Sequence, residues 1–219
     1  MRTVIEYSLF HNQFIKNFSR IFINTKDANR VNLTSNKKLN FNCNNVADVL
    51  QRIMESPTLS LEIKKWLQLL RPGFGDIEIK KDLSKKAVIQ FYEKSYETPF
   101  GSNLISDGTN NILCLLTAIY QLEEPQFLCI EEPENGLNPY VIKEMVNFFR
   151  EQCNKENGHI IWLNTHSQTL VNQLRNEEII IINKEAGITT AKQIKNKNLH
   201  GLPMDEAWLT NSLGGGVPW

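Results

Sequence analysis

Apolar positions along this chain follow two different periods, and the switches between them mark the elements. From Asn45 to Leu70, residues Val46, Val49, Leu50 and Ile53, then Leu61, Ile63, Trp66, Leu67 and Leu70, recur at helical spacing. Pro57 and Thr58 divide this stretch into two predicted helices, and Arg71-Pro72-Gly73 ends the second. Asp76 to Lys80 and Ala87 to Tyr92 instead alternate polar and apolar, with Asp82-Leu83-Ser84 between them, which predicts a β-hairpin. After Pro99-Phe100-Gly101 the pattern changes again. It predicts a helix over 110–120, a short apolar strand Phe127-Leu128-Cys129-Ile130, and a helix from Pro139 to Gln152. A strand from His159 to Leu163, a short helix from Gln168 and a strand from Glu178 to Ile182 follow. Strands alternating with helices predict a mainly parallel α/β sheet. Residues 1–42 are polar and rich in Asn and Lys, with short apolar patches such as Ile21-Phe22-Ile23, and carry the weakest signal. The tail Ser212-Leu213-Gly214-Gly215-Gly216-Val217 reads as a flexible or tightly turning end.

Composition narrows the picture only a little. The 219 residues are 41% hydrophobic and 22% charged, which suits an ordinary folded chain with one sizeable core. The formal net charge is zero, so nothing in the balance points to nucleic acid. The four cysteines, Cys43, Cys114, Cys129 and Cys153, form no Cys-x-x-Cys pair, which argues against zinc and suits a reducing cytosol. No apolar stretch has the length of a membrane span, and the amino terminus lacks the apolar core of a signal peptide. A cytoplasmic protein with no membrane partner is the expectation.

The candidate chemistry begins where the strand Phe127–Ile130 runs into Glu131-Glu132-Pro133. A buried parallel strand whose carboxyl end opens into a site has this form, because ligands of doubly wound sheets bind beyond the strand ends. Two adjacent carboxylates there can divide labour: Glu131 holding a divalent cation, Glu132 orienting or deprotonating an attacking water. By itself the pair is as readily a strand end with solvated acids. Leu104-Ile105-Ser106-Asp107-Gly108-Thr109 precedes the helix of 110–120. There a hydroxyl, a glycine that admits close backbone approach and a helix amino terminus together suit an anion, although an ordinary helix cap fits as well. Ile160-Ile161-Trp162-Leu163-Asn164-Thr165-His166-Ser167 places one histidine just past a strand.

In this order the three segments resemble the signature motif, the Walker B strand with its D-loop, and the histidine switch of ABC-type ATPases. Glu131-Glu132-Pro133-Glu134-Asn135-Gly136-Leu137-Asn138-Pro139 is most similar to the branch of SMC-like, OLD-family and related AAA-type-core ATPases of bacterial defence and repair, with Asn138 where His is usual. The resemblance covers roughly residues 72–213. It implies ATP and Mg²⁺ as cofactors, Glu131 at the metal, and Glu132 and His166 as catalytic residues. Ser106, Gly108, Thr109 and Asn135 would bind nucleotide, the signature loop touching the γ-phosphate held by an opposite protomer. The implied fold is a partial P-loop NTPase domain of ABC type, α/β with a mainly parallel sheet plus a small helical and antiparallel region. Residues 1–100 would be a partial arm, helical and β-hairpin region, and 101–219 the lobe carrying the signature, Walker B, D-loop and H-loop.

The resemblance also implies a phosphate-binding loop, and no Gly-x-x-x-x-Gly-Lys-Ser/Thr stands in these residues, whose first glycine is Gly73. The chain therefore reads as the carboxyl-terminal portion of such a domain, with the loop on a missing amino-terminal segment or a partner chain. Exposed sheet surface, and with it poor solubility or obligate association, is expected of it alone. The partners implied are a second copy or a complementary ATPase chain, and an effector protein, in phage defence or DNA repair; DNA is left open, unsupported by charge. The alternative is a regulatory or interaction module that kept the fold and does not hydrolyse ATP. A metal-dependent nuclease using Glu131, Glu132 and Glu134 is weaker, because relatives that cut DNA carry a further Toprim domain.

Overall fold

A computed structural model describes residues 16–23 and 37–213, except 85, 157, 186, 196, 198 and 200. Most of the polar amino-terminal segment and the glycine tail from 214 onward lie outside the described residues. Contacts divide the chain into two units: Met1–Leu137 with Phe148–Asn164, and Asn138–Asn147 with Thr165–Trp219.

In the first unit, strands β1 (Phe18–Phe22), β5 (Phe127–Glu131) and β6 (Ile160–Asn164) form a parallel sheet in the order β1-β5-β6. The register pairs Phe18 with Phe127 and Phe127 in turn with Ile160, and likewise Phe22 with Glu131 and Glu131 with Asn164. Strand alternation then gives each face its own residues. Ser19, Ile21, Leu128 and Ile130 are buried on one face, while Phe18, Arg20, Ile160 and Trp162 on the other are exposed.

The core of this unit is helix α3 (Asp107–Tyr120), buried without interruption from Thr109 to Tyr120. Ile112, Leu113, Cys114, Leu115, Leu116, Ala118 and Ile119 make it apolar all round, the pattern of a fully enclosed helix. Helices α1 (Val46–Met54) and α2 (Pro57–Leu70) pack on it and on the antiparallel sheet of β2 (Phe74–Lys81), β3 (Ala87–Glu93) and β4 (Phe100–Gly101). Pro57 is the first residue of α2, behind the Ser56 cap, so it starts the second helix as well as parting it from the first. Phe148 of helix α4 (Pro139–Cys153) packs against Trp66 and Tyr120 with tilted rings, their centroids 4.5 and 6.0 Å away.

A buried polar ladder ties the amino ends of the parallel strands to this core. Gln121 Oε1 accepts from the Leu39 amide at 2.7 Å, its Nε2 donates to Gln126 Oε1 at 2.9 Å, and Gln126 Nε2 donates to the Ile119 carbonyl at 2.9 Å. Gln126 also accepts at its carbonyl from the Ile160 amide, which positions β6 beside β5.

The second unit contains α5 (Gln168–Val171), an antiparallel hairpin of β7 (Ile180–Glu185) and β8 (Ile188–Gln193), and α6 (Met204–Leu209). Val171, Ile194, Met204, Ala207 and Leu213 form its core, with Ile179, Ile181, Leu199 and Trp208 against it. The strand expected at 178–182 thus pairs with β8 and adds nothing to the parallel sheet. Among the described residues no helix is long and apolar enough to cross a membrane.

Candidate functional site

The carboxyl end of β5, where the sequence turns from apolar to acidic, also has the least ordinary backbone. Glu131 closes the strand, and its Oε1 accepts a hydrogen bond from Arg20 Nε at 2.6 Å, with the same guanidinium ion-paired to it through Nη2. Glu132 leaves the strand at a φ of 46°, a left-handed conformation rare for a glutamate. Such a conformation costs on the order of 1–3 kcal/mol and persists only where its surroundings impose it. Here the Glu132 amide donates to the Asn164 carbonyl at 2.8 Å. The Asn135 amide donates to the Glu132 carbonyl at 3.2 Å, and Asn135 Nδ2 donates to Glu132 Oε2 at 3.0 Å. Gly136 follows with a φ of 73°, which its lack of a side chain allows.

The start of α3 is built against this loop. Ser106 is the helix cap, its Oγ accepting from the Thr109 amide at 3.3 Å and lying 2.9 Å from Thr109 Oγ1. Gly108 presses directly on Gly136: a Cβ added to Gly108 would lie 2.4 Å from the Gly136 carbonyl oxygen. Asn111, fully buried one turn further on, donates from Nδ2 to the Pro133 carbonyl at 3.1 Å and the Asn135 carbonyl at 2.6 Å. Two hydrogen bonds and a glycine-on-glycine contact therefore fasten the helix start to the acidic loop.

Ser106, Gly108, Thr109, Glu131, Glu132 and Asn135 all belong to this one assembly, with Ser106 and Asn135 exposed and Thr109 buried. His166 is exposed and lies in the other unit, two residues past β6, where Ser167 caps α5 by accepting from the Leu170 amide at 3.3 Å. Two residues of the site were not singled out in the sequence. Asn111 had a signal, being a polar residue inside an otherwise apolar helical run. Arg20 had none, because only the pairing of β1 with β5 brings it to Glu131.

These groups fit part of a Mg²⁺–nucleotide. Among the described residues no three His, Cys, Asp or Glu side chains converge as a closed cage. Mg²⁺ bound to phosphates needs no cage, since one or two carboxylates and water complete its shell. Glu131, half-buried at the strand end, suits that duty once Arg20 yields its oxygen. The helix start with its Ser106 cap suits an anion. Residues 1–219 contain no Gly-x-x-x-x-Gly-Lys-Ser/Thr for the remaining phosphates.

A protein-family model described as "AAA domain, putative AbiEii toxin, Type IV TA system" matches residues 8–172. Among solved structures, one described as "Structural biochemistry of ATP-driven dimerization and DNA stimulated activation of SMC ATPases" superposes with a TM-score of 0.52 at 14% identity, covering 68% of this chain and 89% of that one. The Smc head domain with an extended coiled coil, bound to the C-terminal domain of ScpA derived from Pyrococcus furiosus, gives a TM-score of 0.49 at 14% identity over 78% of this chain and 42% of that one. The SmcHead bound to the C-winged helix domain of ScpA gives 0.49 at 13% identity over 64% and 44%. The chain thus spans less than half the length of these last two. No curated protein sequence matches it.

Proposed function

The chain belongs to this family of AAA domains and has the P-loop NTPase-like fold of an SMC ATPase head, and from that premise we propose that it supplies one half of a composite ATP-hydrolysing site. The observation that carries the reading is the junction of α3 with the loop after β5. It joins an anion-suited helix start to a pair of carboxylates, through Gly108 on Gly136 and the two Asn111 bonds. A site that must sense one nucleotide from two directions needs such a coupling.

In this reading Glu131 faces the metal and Glu132 holds the attacking water, its side chain aimed by Asn135. Ser106, Gly108 and Thr109 present the amino terminus of α3 to the γ-phosphate of a nucleotide held by an opposite subunit. For His166 the resemblance to ABC-type ATPases supports the switch role, a hydrogen bond to the γ-phosphate or to the attacking water. When bound, Mg²⁺–ATP supplies the scissile phosphoanhydride and neutralises its developing charge. The solved SMC ATPase with this fold is described as dimerising under ATP. A second copy or a complementary ATPase chain is the matching partner here, with an attached effector and a role in phage defence or DNA repair.

The test is the Mg²⁺ dependence of ATP turnover by the complete assembly purified from cells that make it. Glu131→Gln should raise the Mg²⁺ concentration for half-maximal turnover about tenfold or more, the scale on which groups around a metal act. An unchanged requirement would remove Glu131 from the metal. A second reading, a regulatory module that binds no nucleotide, draws on the absence of a phosphate-loop sequence from these residues. It predicts no turnover in any assembly containing this chain.

A further inference from the structure

The carboxylate assigned to the metal already holds a cation of the chain's own. Arg20, Cys129 and Glu131 share one face of the parallel sheet, since Arg20 pairs in register with Cys129 and Glu131 lies two residues further along β5. Arg20 reaches along that face, and its Nε and Nη2 both close on Glu131 Oε1, the Nε bond at 2.6 Å. An arginine fork ordinarily spreads over both oxygens of a carboxylate. Here both donors crowd one oxygen. The guanidinium is also seated on an aromatic ring: its central carbon lies 5.3 Å from the centre of the Phe41 ring, within cation–π range. Phe41 is itself fixed to β1, its carbonyl accepting from the Phe22 amide at 2.7 Å and its ring stacking on Phe22 with centroids 6.1 Å apart.

We propose that Arg20 is a positioning residue that competes with divalent cation for Glu131 Oε1, so that metal enters only by exchange with the guanidinium. The inference rests on the ATPase reading and adds to it a residue that sets the metal requirement. Mg²⁺ takes a carboxylate oxygen at about 2.0–2.1 Å and demands a near-octahedral shell. An oxygen that accepts two charged N–H groups has both lone pairs engaged, and a guanidinium at hydrogen-bond distance repels a dication. Glu131 Oε1 therefore serves Arg20 or the metal. The strength of the pair decides what the competition does. A buried pair would shut the metal out. The Arg20 side chain is 61% exposed, and exposed ion pairs are weak, so this one yields and only raises the cation concentration needed. The Phe41 ring keeps the guanidinium at the carboxylate and makes the competition stronger than a free surface arginine would.

The test titrates Mn²⁺ into the complete assembly purified from cells that make it, without nucleotide, and reads free Mn²⁺ by electron paramagnetic resonance. The sites at issue are those that vanish in Glu131→Gln. Arg20→Met, which keeps the stem and removes the charge, should bind Mn²⁺ there about fivefold more tightly, the upper scale of an exposed ion pair. Phe41→Leu keeps every charge and loosens the seat, and should tighten binding about twofold. In turnover assays Arg20→Met should lower the Mg²⁺ concentration for half-maximal rate and leave the maximal rate within about twofold. Unchanged Mn²⁺ affinity in Arg20→Met overturns the proposal and leaves Glu131 at the metal. Tightening in Arg20→Met that Phe41→Leu does not share also overturns it, since loss of any nearby positive charge would act that way. Tighter Mn²⁺ binding in both variants, with no turnover in any assembly, keeps the competition and removes the ATPase. If Glu131→Gln abolishes no Mn²⁺ site, both readings fall.

Discussion

At the scale of single residues, the site combines a strained acid with a neutralised one. Glu132 is held at a φ of 46° by bonds to Asn164 and Asn135, while Glu131 is engaged by Arg20. The acids and Asn135 were legible in the sequence as a run of polar residues after an apolar strand. Arg20 was not, because its partner lies 111 positions away and the apolar patch beside it, Ile21-Phe22-Ile23, is too short to show a period. A second residue effect concerns His159. Its Nδ1 accepts the Gln126 amide at 3.2 Å, and burial, then the Lys155 charge, hold its pKa below the ordinary histidine value. A depressed pKa means that the unfolded chain takes up a proton before the folded one does. The stability this residue contributes is complete above about pH 6.5 and declines as pH falls toward the lower folded-state value. The urea midpoint should therefore drop between pH 7.5 and 5.5, and His159→Gln should shrink that drop. An equal drop in the variant would show that other groups carry it.

At the scale of elements, the joint between α3 and the loop after β5 matters most. The helix and the strand were each predictable, from an apolar run and from four apolar residues ahead of two acids. Their contact was not, since no local pattern says that Gly108 and Gly136 must touch. The close backbone approach that Gly108 admits is made here to the Gly136 carbonyl, 2.4 Å from where a Cβ would lie. Gly108→Ala should cost about 1–3 kcal/mol, the usual penalty of overpacking, because the obstructing atom is backbone and cannot rotate aside. Asn111→Ala should cost a similar amount, roughly 1–3 kcal/mol, by leaving the Pro133 and Asn135 carbonyls short of a donor. Combined, the two should cost less than their sum, because they break the same joint. Denaturant unfolding of the single and double variants measures this, and simple additivity would mean that the two contacts act independently. The hairpin of β7 and β8 shows the opposite limit of legibility. The apolar strand was visible, but nothing local distinguished an antiparallel partner from a place in the parallel sheet.

At the scale of the whole molecule, order along the chain said most. Signature-like helix start, paired acids and Thr165-His166-Ser167 follow one another in the order of ABC-type ATPases, and the chain belongs to a family of AAA domains with the fold of an SMC head. The most direct measurement is nucleotide retention by the complete assembly carrying Glu132→Gln. Incubated with Mg²⁺ and ATP, then passed through a desalting column, it should keep unhydrolysed ATP, with turnover lowered about 10²- to 10⁴-fold, the range for loss of a general base. Turnover within twofold of the unmodified assembly, with ADP as the retained nucleotide, would contradict the account at its centre.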